Sequence, residues 1–86
     1  MQAQVTENAA QKRFELPIAG DASAAAYYRR DGETVGLIHT EVPQEFSGQG
    51  IATQLAYGTL DLVRQTGRRV APRCPFMSRF MARDQE

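Results

Sequence analysis

Cysteine and histidine each occur once in the 86 residues, and lysine is nearly absent. Cys74 has no second cysteine to pair with, so an internal disulfide and a cysteine-rich metal site are both excluded. A single histidine, His39, argues against a zinc enzyme, whose sites draw on several nitrogen or sulfur ligands, and no metal is expected. No run of about 18 apolar residues occurs, and the opening MQAQVTENAAQKR has no apolar stretch of the kind a secretory signal carries. The expectation is a cytoplasmic protein without membrane association. Lys12 is the only lysine among ten basic residues, and the nine arginines suit bidentate contact with phosphate or carboxylate better than lysines would.

What is present is an ordinary balance, 42% hydrophobic and 23% charged, with neither repeat nor low-complexity linker. A chain of this length buries only roughly 60–65% of its unfolded surface. Its core is therefore thin, and ligand binding or dimerisation would add to stability; monomer and homodimer both stay open. The zero net charge conceals an asymmetry: residues 1–63 carry four basic against eight acidic side chains, and residues 64–86 carry six arginines against Asp84 and Glu86. If any part faces an anion, it is the C-terminal quarter, although a solvated, balanced face explains such a run equally well. Nucleic acid is not the expected partner, because the basic cluster is short and no aromatics are interleaved with it.

Residues 1–10 have no periodicity and read as a flexible N-terminal arm ahead of a single domain over 11–86. Lys12 to Ile18 alternate, with Phe14, Leu16 and Ile18 on one side, as a strand does. ASAAAYYR, 22–29, mixes helix-favouring alanines with a strand-favouring Tyr27-Tyr28 pair and is read as strand. Asp31-Gly32 signals a hairpin, whose primed turn needs positive φ, and TVGLIHTEV, 34–42, returns as a strand stopped by Pro43. Three antiparallel strands are thus expected. From Gly50 the period changes: Ile51, Ala52, Leu55, Ala56, Leu62 and Val63 share one helical face, Gly67 is placed to end the helix, and Gly58 marks a close approach. Tyr57 falls on the polar side. Arg69 to Arg73 reads as a fourth strand, parallel to 34–42 through the crossover helix, and Pro75 to Ala82 as a terminal helix with Phe76 and Phe80 turned to the core. The fold class is α+β: a mixed sheet of antiparallel strands, then a β-α-β unit and a C-terminal helix.

The stretch EFSGQGIAT, 45–53, opens the first helix with two glycines one residue apart. Unpaired backbone N–H groups and the helix dipole make such a place attractive to phosphate, while a plain helix cap remains an alternative. The nucleoside-triphosphate loop fails for want of a lysine after either glycine, and the dinucleotide fingerprint fails because threonine stands at 53.

With that order of elements, HTEVPQEFSGQGIATQLAYGTLDLVRQTGRRVAPRCPF, 39–76, resembles the small, abbreviated branch of the GCN5-related N-acetyltransferase superfamily. The superfamily motif R/Q-x-x-G-x-G/A aligns with Ser47-Gly48-Gln49-Gly50-Ile51-Ala52, where the small residues at 50 and 52 match and Ser47 replaces the leading arginine or glutamine. The resemblance implies a minimal acyl-CoA N-acyltransferase fold. It implies acetyl-CoA wedged between two splayed parallel strands, its pantetheine arm on the backbone of Glu41 and Val42. The pyrophosphate would rest on Ser47, Gly48, Gln49, Gly50, Ile51, Ala52 and Thr53, with the arginine-rich end near the adenosine 3′-phosphate. The implied reaction is acetyl transfer to an amine acceptor of unknown identity by direct attack in a ternary complex. A non-catalytic acyl-CoA sensor and a ligand-free interaction domain are the alternatives.

Transfer requires a proton acceptor for the amine, a donor at the thioester carbonyl and a proton for the departing thiolate. Cys74, ending a strand just before a helix and next to Arg73, sits where the thiolate is favoured. In the small branch a cysteine here is implied as nucleophile or proton donor, although a buried cysteine also serves simply as packing. His39 and Glu41, two apart on a strand, project from one face, and either can relay the amine's proton.

Overall fold

The computed structural model describes residues 4–84. Five strands form one sheet in chain order: β1 (Thr6–Asn8), β2 (Arg13–Ala19), β3 (Ala22–Asp31), β4 (Thr34–Glu41) and β5 (Arg69–Pro72). The first four run antiparallel to their neighbours and β5 lies parallel to β4. Helix α1 (Ile51–Gln65) crosses between β4 and β5, and α2 (Pro75–Asp84) follows β5.

The alternation in β2 and β3 works as expected. Phe14 pairs with Ala26 and Leu16 with Ala24, all buried on the face that meets α1, while Arg13, Glu15 and Tyr27 look out on the other. The alanines that made 22–29 ambiguous are the small side chains that let α1 approach the sheet. The hairpin between β3 and β4 forms one residue later than the Asp31-Gly32 signal places it: Asp31 pairs with Thr34, so the loop is Gly32-Glu33, with Gly32 alone at positive φ.

The buried face of α1 is wider than the spacing predicts, since Thr59 and Leu60 join Leu55, Ala56 and Val63 in the core. The helix ends as expected at Gly67 (φ 74°). Gly67 N–H donates to Arg64 O and Arg68 N–H to Val63 O, the paired closure of a Schellman motif. Gly58 is a point of close approach: a Cβ there would lie 2.3 Å from Val5 Cγ2. Phe76 and Phe80 pack against the core, and Tyr57 is exposed, its ring edge-on to Phe80 at 4.9 Å.

One expectation needs correction. The unstructured arm over 1–10 contains a fourth antiparallel strand, β1, too short at three residues to show alternation. Its register turns Glu7 to the helix face, where the carboxylate accepts two hydrogen bonds from Arg68 (2.8 and 3.1 Å) and one from the Tyr28 hydroxyl (2.6 Å). Positions 1–3 of the expected arm lie outside the described residues.

The Arg68 hydrogen bonds hold the Glu7 carboxyl below its ordinary value, against an opposing effect of burial, with Tyr28 assisting. Burial, and then the bond to Glu7, pushes the Tyr28 phenol up to about 12. This ion pair joins the first strand to the residue after the α1 terminus. The thin core is thus closed at one sheet edge by polar contacts spanning 61 positions of sequence.

Candidate functional site

Pro43 and a single 3-10 turn (Gln44–Phe46) carry the chain from β4 to the glycines. Ser47 donates its hydroxyl to the carbonyl of Gln44 at 2.9 Å, stapling that turn. The hydroxyl that replaces an expected arginine or glutamine is therefore engaged within its own loop. Gly48 and Gly50 have φ of 79° and 77°, in the left-handed region that side chains disfavour. A Cβ at either would meet nothing within 4 Å, so these glycines answer to the chain's curvature and not to crowding by neighbouring protein atoms.

Gly50 is the N-cap of α1, and its carbonyl accepts the first helical bond from Gln54 N–H at 3.1 Å. Having no side chain, it offers no acceptor to the next amides. The first turn holds no acidic residue, and among the described residues no hydrogen-bond acceptor meets the N–H groups of Ile51, Ala52 or Thr53. They point outward at the positive end of a 15-residue helix. A concavity of about 270 Å³ lies beside them, lined by Val42, Phe46, Ser47, Gly48, Gly50, Ile51, Ala52 and Thr53. Gln49 is exposed between the glycines. A second hollow of about 290 Å³ shares Thr53 and adds Tyr57, Phe80 and Arg83. Arg83 is thus the arginine of the C-terminal quarter that lines either of these two hollows. Arg68 is occupied by Glu7, far along the chain from it.

β4 and β5 part company before β4 ends. Their register runs from Thr34↔Arg69 to Leu37↔Pro72, and the last contact is Arg73 N–H to Leu37 O at 2.9 Å. Ile38 to Glu41 continue β4 with no partner from β5, because Pro72 lacks an N–H and Pro75 turns the chain into α2. This gap leads through Val42 to the glycine loop.

A bulge at the start of the gap decides where the side chains go. Tyr28 pairs with Leu37 but Tyr27 pairs with His39, leaving Ile38 as the extra residue. Val35 and Leu37 face the helices. After the bulge, Thr40 faces them, while His39 and Glu41 turn to the open face of the sheet.

His39 Nε2 stands 3.2 Å from the accepting Glu41 Oε2, both side chains well exposed. The imidazole stacks on Tyr27 at 5.9 Å, and Arg13 lies over the far side of the pair, donating Nη1–H to the Tyr27 hydroxyl at 3.3 Å and Nε–H to Glu15. The Glu15 bonds, from Arg13 first and Asn8 second, lower its carboxyl below the ordinary value. A continuous polar row crosses the open face and ends at the His39–Glu41 pair.

Cys74 is on the opposite side. The residue is 7% exposed within the core cluster, its Sγ lies 3.8 Å from Thr40 Oγ1, and its carbonyl accepts the first bond of α2 from Ser78 N–H. The three residues picked out for chemistry therefore do not form one cluster. His39 and Glu41 come together on one face, Cys74 and Thr40 on the other, and the strand gap lies between. The Arg73 guanidinium does not accompany its neighbour Cys74, since its Nε lies over Gly36, 3.4 Å from where a Cβ would be, on the open face. Thr40 and Tyr27 carry no sequence signal of a role, as only the bulged register brings them to the thiol and the imidazole.

The model for GCN5-related N-acetyl-transferase matches residues 13–86. Protein NATD1 of Xenopus tropicalis is 31% identical over 72 residues, and Protein NATD1 of Bos taurus 32% over 72. Each match takes in 81% of this chain but only 66% and 64% of those relatives' length, so the chain spans slightly under two thirds of each. The NMR solution structure of a GCN5-like protein from Staphylococcus aureus superposes with a TM-score of 0.70 at 19% identity, covering 96% of this chain and 81% of that one, which is a likeness of fold. A mixed sheet opening where its one parallel pair separates, a left-handed glycine loop on the following helix and a family match over 13–86 together place the chain in the GCN5-related N-acetyltransferase family.

Proposed function

We propose that the protein is an acetyl-CoA-dependent N-acetyltransferase that acetylates an amine by direct attack in a ternary complex. The observation that carries this reading is the run Ile38–Glu41, left without a β5 partner and continuous through Val42 with the uncapped amides of Ile51, Ala52 and Thr53. An extended pantetheine arm pairs with such a strand edge as an added strand would. A pyrophosphate suits the helix N-terminus, with Gly48, Gln49 and Gly50 as its floor and Ser47 acting only through its turn. Arg83 is the residue for the adenosine 3′-phosphate, reached past Thr53.

Acetyl-CoA supplies the acetyl thioester; the chain's residues handle position and protons. Backbone N–H groups of the splayed β4 segment polarise the carbonyl. The acceptor nitrogen forms a C–N bond as the C–S bond breaks. His39, oriented by Glu41 and Tyr27, takes the proton that the nitrogen loses, and the Cys74 thiol returns one to the leaving sulfur. The products are an N-acetylated amine and free coenzyme A. In this reading the protein acts in the cytoplasm; among the described residues no helix is long and apolar enough to cross a membrane.

A second reading, an acyl-CoA sensor without efficient chemistry, is favoured by the separation of Cys74 from His39 and Glu41 across β4. Thermal unfolding with acetyl-CoA tests the shared part: at a ligand concentration of about 100 Kd, one site adds roughly 2.7 kcal/mol. No shift at millimolar acetyl-CoA overturns both readings. A shift without acetyl transfer to any member of an amine pool, monitored by mass spectrometry, selects the sensor.

A further inference from the structure

Gly36 has no side chain at the middle of β4, and the side chain of Arg73 uses the space on the open face. Arg29 is the glycine's pair on β3. Arg73, from the end of β5, lies across it, with Nε 3.4 Å and Cδ 3.7 Å from the Cβ position that glycine leaves empty. The result is a hollow of about 360 Å³ lined by Arg29, Arg30, Asp31, Thr34, Gly36, Ile38 and Arg73. Its floor is backbone, and Ile38, 42% exposed as the bulged residue, makes an apolar wall.

The charge of this hollow is unbalanced. Arg29 and Arg73 have no carboxylate within 4.0 Å among the described residues, whereas Arg13 and Arg68 each have one. Asp31 lines the hollow from its turn end, while Arg30 donates to the Gly32 carbonyl and its charge also acts on Glu7 and Tyr28, so Arg29 and Arg73 are the two cations set against one anion. Both arginines line one hollow without a carboxylate partner, and their planar guanidinium forks suit carboxylate or phosphate oxygens. Position gives the hollow its meaning: Arg73 and Ile38 stand where β4 and β5 separate, at the end of the gap away from the glycine loop.

We propose that the acceptor is an amine that also bears an anionic group, carboxylate or phosphate, which Arg29 and Arg73 hold so that the amine reaches the mouth of the β4–β5 gap. This rests on the acetyltransferase reading for its location. The anion site itself does not depend on it.

Two measurements separate the two. In amide NMR spectra of the free protein, O-phosphoethanolamine or β-alanine should move Gly36, Ile38 and Arg73, ethanolamine should leave them in place, and Arg29→Gln should abolish the response. In acetyl transfer, the preferred anionic amine should exceed ethanolamine at least tenfold in kcat/KM, and that ratio should fall toward one in Arg29→Gln and Arg73→Gln while the thermal shift by acetyl-CoA persists. Comparison of phosphoethanolamine with β-alanine identifies which anion the site takes. Amide shifts that are absent, or equal for all three amines, overturn the anion site whatever the enzyme does. Amide shifts as expected with equal transfer to all three overturn its role in acceptor choice. Absence of any acetyl-CoA shift is instead the failure of the acetyltransferase reading.

Discussion

Cys74 shows how one residue's meaning depends on what lies across from it. A thiol at a helix start beside an arginine suggests an activated nucleophile, yet the arginine leaves for the other face of the sheet and the thiol meets the Thr40 hydroxyl inside the core. This placement suits a proton donor better than an attacking group. If Cys74 protonates the leaving sulfur, Cys74→Ala should lower kcat by about 10²-fold or more, the usual contribution of a general acid, while the acetyl-CoA thermal shift stays. A packing role alone would leave kcat within a few-fold and lower Tm by several degrees, since about 1 kcal/mol moves a domain of this size by roughly 4–8 °C. His39 and Glu41 were legible as a same-face pair because alternation within a strand is local. Which face they occupy was not, because the bulge at Ile38 is a property of the pairing with Tyr27 and Tyr28.

Helix α1 carries the more legible half of the site. Its period, its glycine terminus and the two glycines ahead of it can all be read along the chain, and each has the geometry the spacing implies. The question of cap against cradle can be put to the helix itself. Replacing Gly50 by valine would confuse the two, because a side chain there is strained at φ 77° even though its Cβ meets nothing. Thr53→Glu is the cleaner change. A carboxylate in the first turn complements the helix dipole and should raise the stability of the free protein by about 0.3–1 kcal/mol, while repelling a pyrophosphate. A higher Tm together with loss of the acetyl-CoA shift is the expected result; a higher Tm with the shift intact would place the pyrophosphate elsewhere. At the other end of legibility is β1, whose three residues are too few for a pattern and whose anchor, Arg68, is remote in sequence.

For the domain as a whole, that anchor predicts a stability profile with two limbs. Glu7 titrates lower folded than its ordinary 4.5, so its contribution is present above that value and is lost as pH falls through the folded one. Tyr28 titrates higher folded, about 12 against 10.0, so its contribution is complete below pH 10.0 and is lost as pH rises toward about 12. Chemical denaturation across pH should show both losses. In Glu7→Gln the acid limb should flatten and the alkaline loss should shrink and end at a lower pH, since Tyr28 keeps its burial but loses its charged partner and its folded value moves back toward 10.0. The variant should be less stable at neutral pH by roughly 2 kcal/mol, the scale of a hydrogen bond to a charged group. Unchanged limbs would show that β1 is not held by this cluster.

Residues near one another in sequence were enough to specify the strands from 12 onward, both helices, the hairpin and the glycine loop, because periodicity, turn chemistry and helix ends are set by neighbours a few positions apart. Tertiary structure alone decided the fourth antiparallel strand, the face on which His39 and Glu41 stand apart from Cys74, and the hollow at Gly36 that Arg29 and Arg73 both line. Each of those depends on register between strands, where the shift of a single residue moves every following side chain to the other side of the sheet.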